Sequence, residues 1–281
     1  MIGFLNINKP SKITSNYVVT NIKKRLKIKK VGHFGTLDPL ASGVLPIAIG
    51  KATKLFDYFL EKDKVYIATF EFGYLTDTLD SEGKIEKTTQ IIPNEKEIND
   101  ILKGFIGKQS QMPPKFSAKN INGVRAYELA RKGEEVVLKP KEIEIYDIKL
   151  IEKIDETKYK FYIHCSSGTY IRSIARDLGE RLNSLATMIA LIREKSGFFE
   201  LKNAVSLDCE NIENKVVAIE EVLKDLPKVN IPIENYKKLL NGVSVDYKDD
   251  VEECLVYCNN ELFGIGYAKD KLLKIKIYLK E

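Results

Sequence analysis

Asp38 sits between Leu37 and Pro39, inside the stretch VGHFGTLDPLASGVLPIAIGKATKL. A loop runs there from Gly32 to Gly43 and feeds an apolar strand, Val44 to Ile49. Apolar neighbours and a proline are an unusual setting for an acid, because a loop is free to be polar throughout. A carboxylate in a stiffened turn either bonds its own backbone, as Asp-Pro dipeptides often do, or is held for acid–base or nucleophilic work. Arg172 and Arg176 lie four apart in GTYIRSIARDLGE and share a face near the start of a predicted helix. Cations there oppose the helix dipole, a local cost that an anionic partner would offset. Asp77, Asp80 and Glu82 cluster in GYLTDTLDSEGKI, but without the spacing of a Ca²⁺ loop. That loop reads as one ordered by its own side chains, and no metal site is predicted. His33, beside glycines, has no second histidine or cysteine to make a metal pair, and His164 in an apparent strand is given no role.

Composition narrows the class. The 281 residues are long enough for one large domain or two unequal ones. With 44% apolar and 30% charged residues, the chain is an ordinary globular protein and not a disordered one. The net charge of +5 and pI near 8.7 favour a polyanionic partner without establishing one. Cys165, Cys209, Cys254 and Cys258 form no CxxC pair and read as buried free thiols in a reducing compartment. No charged-then-apolar leader opens the chain, and no apolar run approaches about 18 residues. The expectation is a cytoplasmic protein with no membrane contact.

The elements that position these residues follow in order. Ile2 to Asn8 reads as a first strand, and Thr14 or Ser15 caps a helix buried through Val18, Val19, Ile22 and Leu26. That helix ends in a basic run, Lys23 to Lys30, which is either a solvated face or a phosphate grip. Lys51 to Leu60 reads as a helix, and Val65 to Phe72 as a strand inside the sheet. Asn94, with Glu97 reaching back, opens the next helix. From Gly107 to about Gly133, Lys108, Lys115, Lys119, Arg125, Arg131 and Lys132 interleave with Phe116 and Tyr127, a mixture that fits nucleic acid. Glu142 to Ile154 and Lys158 to Cys165 read as paired strands, and Gly168 as the turn into the helix of Arg172. Further helices are predicted at about Leu185 to Lys195 and Val216 to Leu226. Short β-rich segments from Pro227 onward make a separate small domain.

Taken together, these segments resemble the TruB family of pseudouridine synthases. GHFGTLDPLASGVLPIAIGKATK carries the resemblance first. LNINKPSKITS is similar to the family's opening segment, DKVYIATFEFGYLTDTLDSEG to its second motif and GTYIRSIARDLGE to its third. MPPKFSAKNINGVRAYELARKGEEV resembles its RNA-gripping insertion, and the tail ELFGIGYAKDKLLKIKIYL a PUA-type RNA-binding domain. The implied fold is α+β, a mixed α/β architecture. A catalytic domain, residues 1–226, is built on a mixed, largely antiparallel sheet with an insertion at about 107–133, and a PUA-like domain spans 227–281. Phe34 departs from the pattern, because relatives usually carry Thr or Gly there, and it leaves the local packing open.

The resemblance implies an isomerase that converts uridine 55 of the TΨC loop of tRNA to pseudouridine. The reaction breaks a C–N glycosidic bond, turns the uracil and joins C5 to C1′, so atoms are conserved and no cofactor is needed. By resemblance Asp38 is the catalytic carboxylate, attacking C1′ or taking the C2′ proton. Arg172 keeps it ionised, since a guanidinium stays charged under a substrate that excludes water. Tyr66 stacks the extruded base and is a candidate to take the C5 proton. Tyr170 and Leu191 line the pocket, His33 contacts the RNA around the flipped nucleotide, and Lys54 is a candidate phosphate contact. The expected partner is tRNA, through its T-arm, with the protein a monomer and no obligate protein partner. Two rivals share much of this reading: a non-catalytic tRNA-binding or folding module, and a guide-RNA-dependent relative.

Overall fold

Strand and helix signals at the N-terminus translate directly into structure. In this computed structural model, residues 1–116, 120–121, 124–125 and 138–280 are described. Strand β1 (Gly3–Lys9) leads to helix α1 (Ser15–Leu26), capped by Thr14, whose hydroxyl accepts from the Tyr17 amide at 3.1 Å. Val18, Val19 and Ile22 bury one stripe of that helix, and Lys27 ends it in the left-handed conformation. The short strand β2 (Val31–His33) and strand β3 (Ser42–Ile49) flank the Asp38 loop as an antiparallel pair. A 3₁₀ turn, Gly50–Leu55, runs into α2 (Phe56–Leu60), and β4 (Lys64–Phe72) follows.

A hairpin of β5 (Tyr74–Thr76) and β6 (Ile85–Thr88) frames the acidic loop. Helix α3 (Glu95–Leu102) starts at the capping box of Asn94 and Glu97, as the sequence predicts. Strand β7 (Gly107–Gln111) and the short pair β8 (Asn120–Ile121) and β9 (Val124–Arg125) lead toward β10 (Lys141–Lys153) and β11 (Lys158–Cys165). Of the basic insertion, Lys108, Lys115 and Phe116 are described. Lys119, Tyr127, Arg131, Lys132 and the Arg125 side chain lie outside the described residues.

Helix α4 (Ile171–Arg181) carries Arg172, and β12 (Ala186–Ser196) comes next. This corrects the helix expected at about Leu185 to Lys195. Its apolar run suits either element by periodicity alone. The strand is also bulged between Met188 and Ala190 and between Arg193 and Lys195, which breaks the alternation that would have marked it. The helix expected from about Val216 to Leu226 shrinks to one turn, Ile219–Val222, and a 3₁₀ turn at Ile212–Lys215 precedes it.

With β13 (Phe199–Glu200) and β14 (Val205–Ser206) these strands make a 10-stranded sheet, its main path running β14-β1-β3-β12-β4-β11-β10-β7. The β1–β14 and β3–β12 pairs are parallel and the others antiparallel, so the sheet is mixed and largely antiparallel. One face packs on α1, α3 and α4 through Leu45, Ile47, Phe70, Phe161, Ile98 and Leu178. A second sheet has the order β15-β17-β18-β19-β16: β15 (Lys228–Ile231), β16 (Val245–Asp246), β17 (Val251–Cys258), β18 (Glu261–Lys269) and β19 (Leu272–Tyr278). It has its own core around Phe263, Val256 and Leu273. Leu255, Ile265 and Leu279 meet the other face of the large sheet at Phe4, Val44 and Ala48. Among the described residues no helix is long and apolar enough to cross a membrane.

Candidate active site

The loop from Phe34 to Ala41 is stiff because its backbone and its floor are both tied. Its turn is closed by the Ala41 amide on the Asp38 carbonyl at 3.1 Å. Ser15 clamps Leu37, accepting from its amide at 2.9 Å and donating to its carbonyl at 3.0 Å. Lys9, fully buried at the end of β1, donates to the carbonyls of Pro10, Ile13 and Pro39. Burial pulls the Lys9 ammonium down to about 8, against the attraction of Asp38.

The Asp38 side chain is thus free of turn duty. Its Oδ2 lies 2.9 Å from Arg172 Nε, with the carboxylate half-buried and the arginine buried. Arg172 reaches further: Nη1 is 3.4 Å from Asp80 Oδ2 and donates to the Thr78 carbonyl at 3.0 Å, and Nη2 donates to the Phe116 carbonyl at 3.1 Å. The anionic partner that the helix dipole argument asks for is therefore internal. Arg176 is answered separately, by Asp177 and the Met112 carbonyl. Asp80 itself is gripped by its own loop, its Oδ1 accepting from Thr78 Oγ1 at 2.7 Å and the Glu82 amide at 3.1 Å.

Tyr66 projects from β4 into the same region, packed in one cluster with Leu37 and Leu191. Burial raises its phenol above the ordinary value, while the Arg193 guanidinium beside it pulls the other way. Leu191 and Tyr66 share a face of the sheet, since Leu191 pairs with Ala68 and Arg193 with Tyr66. Leu191 is therefore a strand residue and not the helix leucine expected. Tyr170 immediately precedes α4, its backbone held in both directions by Gln111 at 2.8 Å and 3.1 Å. His33 lies in β2 with its Nδ1 buried and without a hydrogen-bond partner among the described residues, and burial followed by Arg193 holds its imidazole below the usual value. Lys54 is exposed on the 3₁₀ turn. His164 bonds Asp63 at 2.6 Å, outside the site.

Phe34 turns away from the acid. It stacks on Phe59, with centroids 4.9 Å apart and planes at 4°, and meets Phe4 and Phe56. The bulky ring thus fills the core shared with the second sheet, and the carboxylate side of the loop stays clear.

Three groups escape the sequence reading. Asp80 was legible only as a loop former, because its pairing with Arg172 spans 92 residues of chain (172 − 80). Lys9 was hidden in an N-terminal strand, although a lysine before Pro10 at a strand end is a visible signal. Arg193 lay in the segment assigned to a helix, where an arginine reads as solvated.

The model of the TruB family pseudouridylate synthase N-terminal domain matches residues 23–171. A tRNA pseudouridine synthase B of Clostridium kluyveri is 41% identical over 290 residues, covering 99% of this chain and all (100%) of that protein. Its namesake in Clostridium perfringens strain 13 is 40% identical over 294 residues, with 100% of both chains covered. One from Ehrlichia ruminantium is 47% identical over 209 residues, 74% of this chain and 71% of that protein. Among solved structures, a Cbf5-Nop10-Gar1 complex matches with a TM-score of 0.73 at 24% identity, over 99% of this chain and 85% of the other. An H/ACA RNP bound to a substrate RNA containing 2′-deoxyuridine gives 0.71 at 23%, over 99% and 85%. These two speak for the fold. With the family model covering residues 23–171 and relatives near 40% identity from end to end, this chain belongs to the TruB family of pseudouridylate synthases.

Proposed function

We propose that this enzyme isomerises uridine 55 in the TΨC loop of tRNA, with Asp38 as the group that acts on the sugar of an extruded nucleotide. The observation that carries the reading is the ion pair between Asp38 Oδ2 and Arg172 Nε, at the tip of a tied loop beside Tyr66. Arg172 supplies a fixed positive charge to the carboxylate while the arriving base excludes water. Asp80 holds Arg172 from the opposite side, so the guanidinium does not follow Asp38 when the carboxylate moves onto the sugar. The N1–C1′ bond breaks and the C5–C1′ bond forms; C5 loses a proton and N1 gains one, so the reaction is balanced without a co-reactant. Tyr66 stacks on the base, and its phenolate, the form that the adjacent Arg193 guanidinium favours against burial, is the acceptor for the C5 proton and returns to the phenol as it takes it. Tyr170 and Leu191 line the pocket, and neutral His33 hydrogen-bonds the RNA around it. Lys54, exposed, meets a phosphate.

tRNA is taken as the substrate because relatives aligned over the full chain are named for it. The division into a catalytic part, 1–226, and an RNA-binding part, 227–281, belongs to the same reading, as does action by a monomer in the cytoplasm. The purified protein, given a bare T-arm hairpin and no guide RNA, should convert its uridine; a requirement for added RNA or protein would point to the guide-dependent rival. Tyr66→Phe should keep the stacking but slow release of the C5 proton roughly 10²-fold. Full activity in that variant would remove the proton-accepting role and leave stacking alone.

A further inference from the structure

Arg193 is the largest fully buried side chain among the described residues, at 1% exposure, and the reaction as drawn above gives it no contact with substrate. A buried guanidinium is costly unless every donor is used. In the sheet Arg193 stands directly between Tyr66 on β4 and Gly43 on β3. Its side chain then runs beneath the Asp38 loop. Nε donates to the Val44 carbonyl at 2.7 Å, Nη2 to Gly35 at 3.1 Å and Nη1 to Thr36 at 3.5 Å. Gly35 and Thr36 precede Asp38 and Val44 follows it, so one planar group joins the entry of the loop to its exit. The same guanidinium sits against the Tyr66 phenol.

Backbone contact reinforces the side chain. Gly43 has φ +103°, and a Cβ built there would lie 2.4 Å from the Arg193 carbonyl oxygen and 2.8 Å from its amide nitrogen. The loop's exit is therefore pressed onto the backbone of the residue whose side chain holds its entry.

We propose that Arg193 is a positioning residue: it holds the Asp38 loop and the Tyr66 hydroxyl in one frame, so that carboxylate and phenol meet the flipped base together. A hydrophobic residue would fill the space without bridging the carbonyls. A lysine would keep the charge, but a single ammonium on a flexible stem does not present a fork to carbonyls on both sides of the loop. The inference rests on Asp38 and Tyr66 being the reacting groups.

The test uses full-length Arg193→Lys and Gly43→Ala, alone and combined, on the T-arm hairpin, with melting temperatures measured in parallel. Misplacement of the reacting groups should lower the single-turnover rate about 100-fold in each, with half-saturating RNA concentration changed less than about threefold. The combined variant should lose no more than the worse single one, because both changes break the same frame. A folded Arg193→Lys with a rate within about threefold of wild type overturns the inference, as does a loss confined to RNA affinity or a fully multiplicative double variant. If Arg193→Lys does not fold, Gly43→Ala, which keeps the guanidinium, decides by the same criteria. Loss of fold in both would make Arg193 a stability residue and overturn the inference equally. An inactive wild type would instead defeat the underlying assignment of Asp38 and Tyr66.

Discussion

Arg172 is held by two acids of different standing: Asp80 is buried and locked in its own loop, whereas Asp38 keeps one edge open. That asymmetry lets one carboxylate anchor the cation and leaves the other available for chemistry. Removing the anchor with Asp80→Asn should lower the single-turnover rate roughly 10-fold or more while leaving RNA affinity unchanged, because Arg172 would lose its second support; an unaltered rate would show that Asp38 alone suffices to place it. Lys9 works from below, holding Pro39 through its ammonium. Its folded value of about 8 lies below the ordinary 10.5, so between the two the unfolded chain binds the extra proton. Wild type should therefore gain stability relative to Lys9→Met as the pH rises from about 8 toward 10.5, as read from urea unfolding at several pH values. A stability gap that does not vary with pH would contradict the buried ammonium.

At the scale of elements, the loop is a bridge between two cores. Leu37 enters the core under α1, while Phe34, three residues earlier, enters the aromatic cluster with Phe4, Phe59 and Phe199. Phe34→Ala should cost about 3–5 kcal/mol in urea unfolding, as expected for emptying a ring-sized cavity; a cost under about 1 kcal/mol would mean that the cluster collapses around the gap. The elements legible in the sequence were those governed by local rules. Thr14 and the Asn94–Glu97 box announce their helices through hydrogen bonds within one turn, and α4 shows its stripe of Ile171, Ile174, Ala175 and Leu178. Strand β12 was not legible, because its two bulges scramble the period and its partners β3 and β4 are distant in the chain. With it went the environments of Leu191 and Arg193. The acidic loop was read correctly as self-ordered, yet its second oxygen, aimed at Arg172, obeys no local rule. Asp38 itself carried a signal that spacing alone left ambiguous, and the ion pair across the fold removes the ambiguity about where its side chain points.

Across the whole molecule, the second sheet is joined to the first by more than chain connectivity. Leu255, Ile265 and Leu279 cover Phe4, Val44 and Ala48, and the Tyr58 hydroxyl donates to Glu253 Oε2 at 3.0 Å. The strand β3 that leaves the Asp38 loop is thus buried on one face by α1 and on the other by the second sheet. Truncation after Leu226 should lower the melting temperature and expose dye-binding apolar surface, beyond any loss of RNA affinity; a truncated protein that melts like the full chain would mean that the two sheets are energetically independent. Positive charge, +5 overall, with the basic end of α1, suits a large polyanion better than a small ligand. On the function proposed here, all of this serves one carboxylate. The most direct measurement is therefore single-turnover conversion of an unmodified tRNA transcript by wild type and by Asp38→Asn, with pseudouridine mapped by position and binding measured alongside. Wild type should convert the T-loop uridine alone, and Asp38→Asn should bind comparably while losing roughly 10⁴-fold or more in rate. Conversion by Asp38→Asn at near wild-type rate would contradict the account.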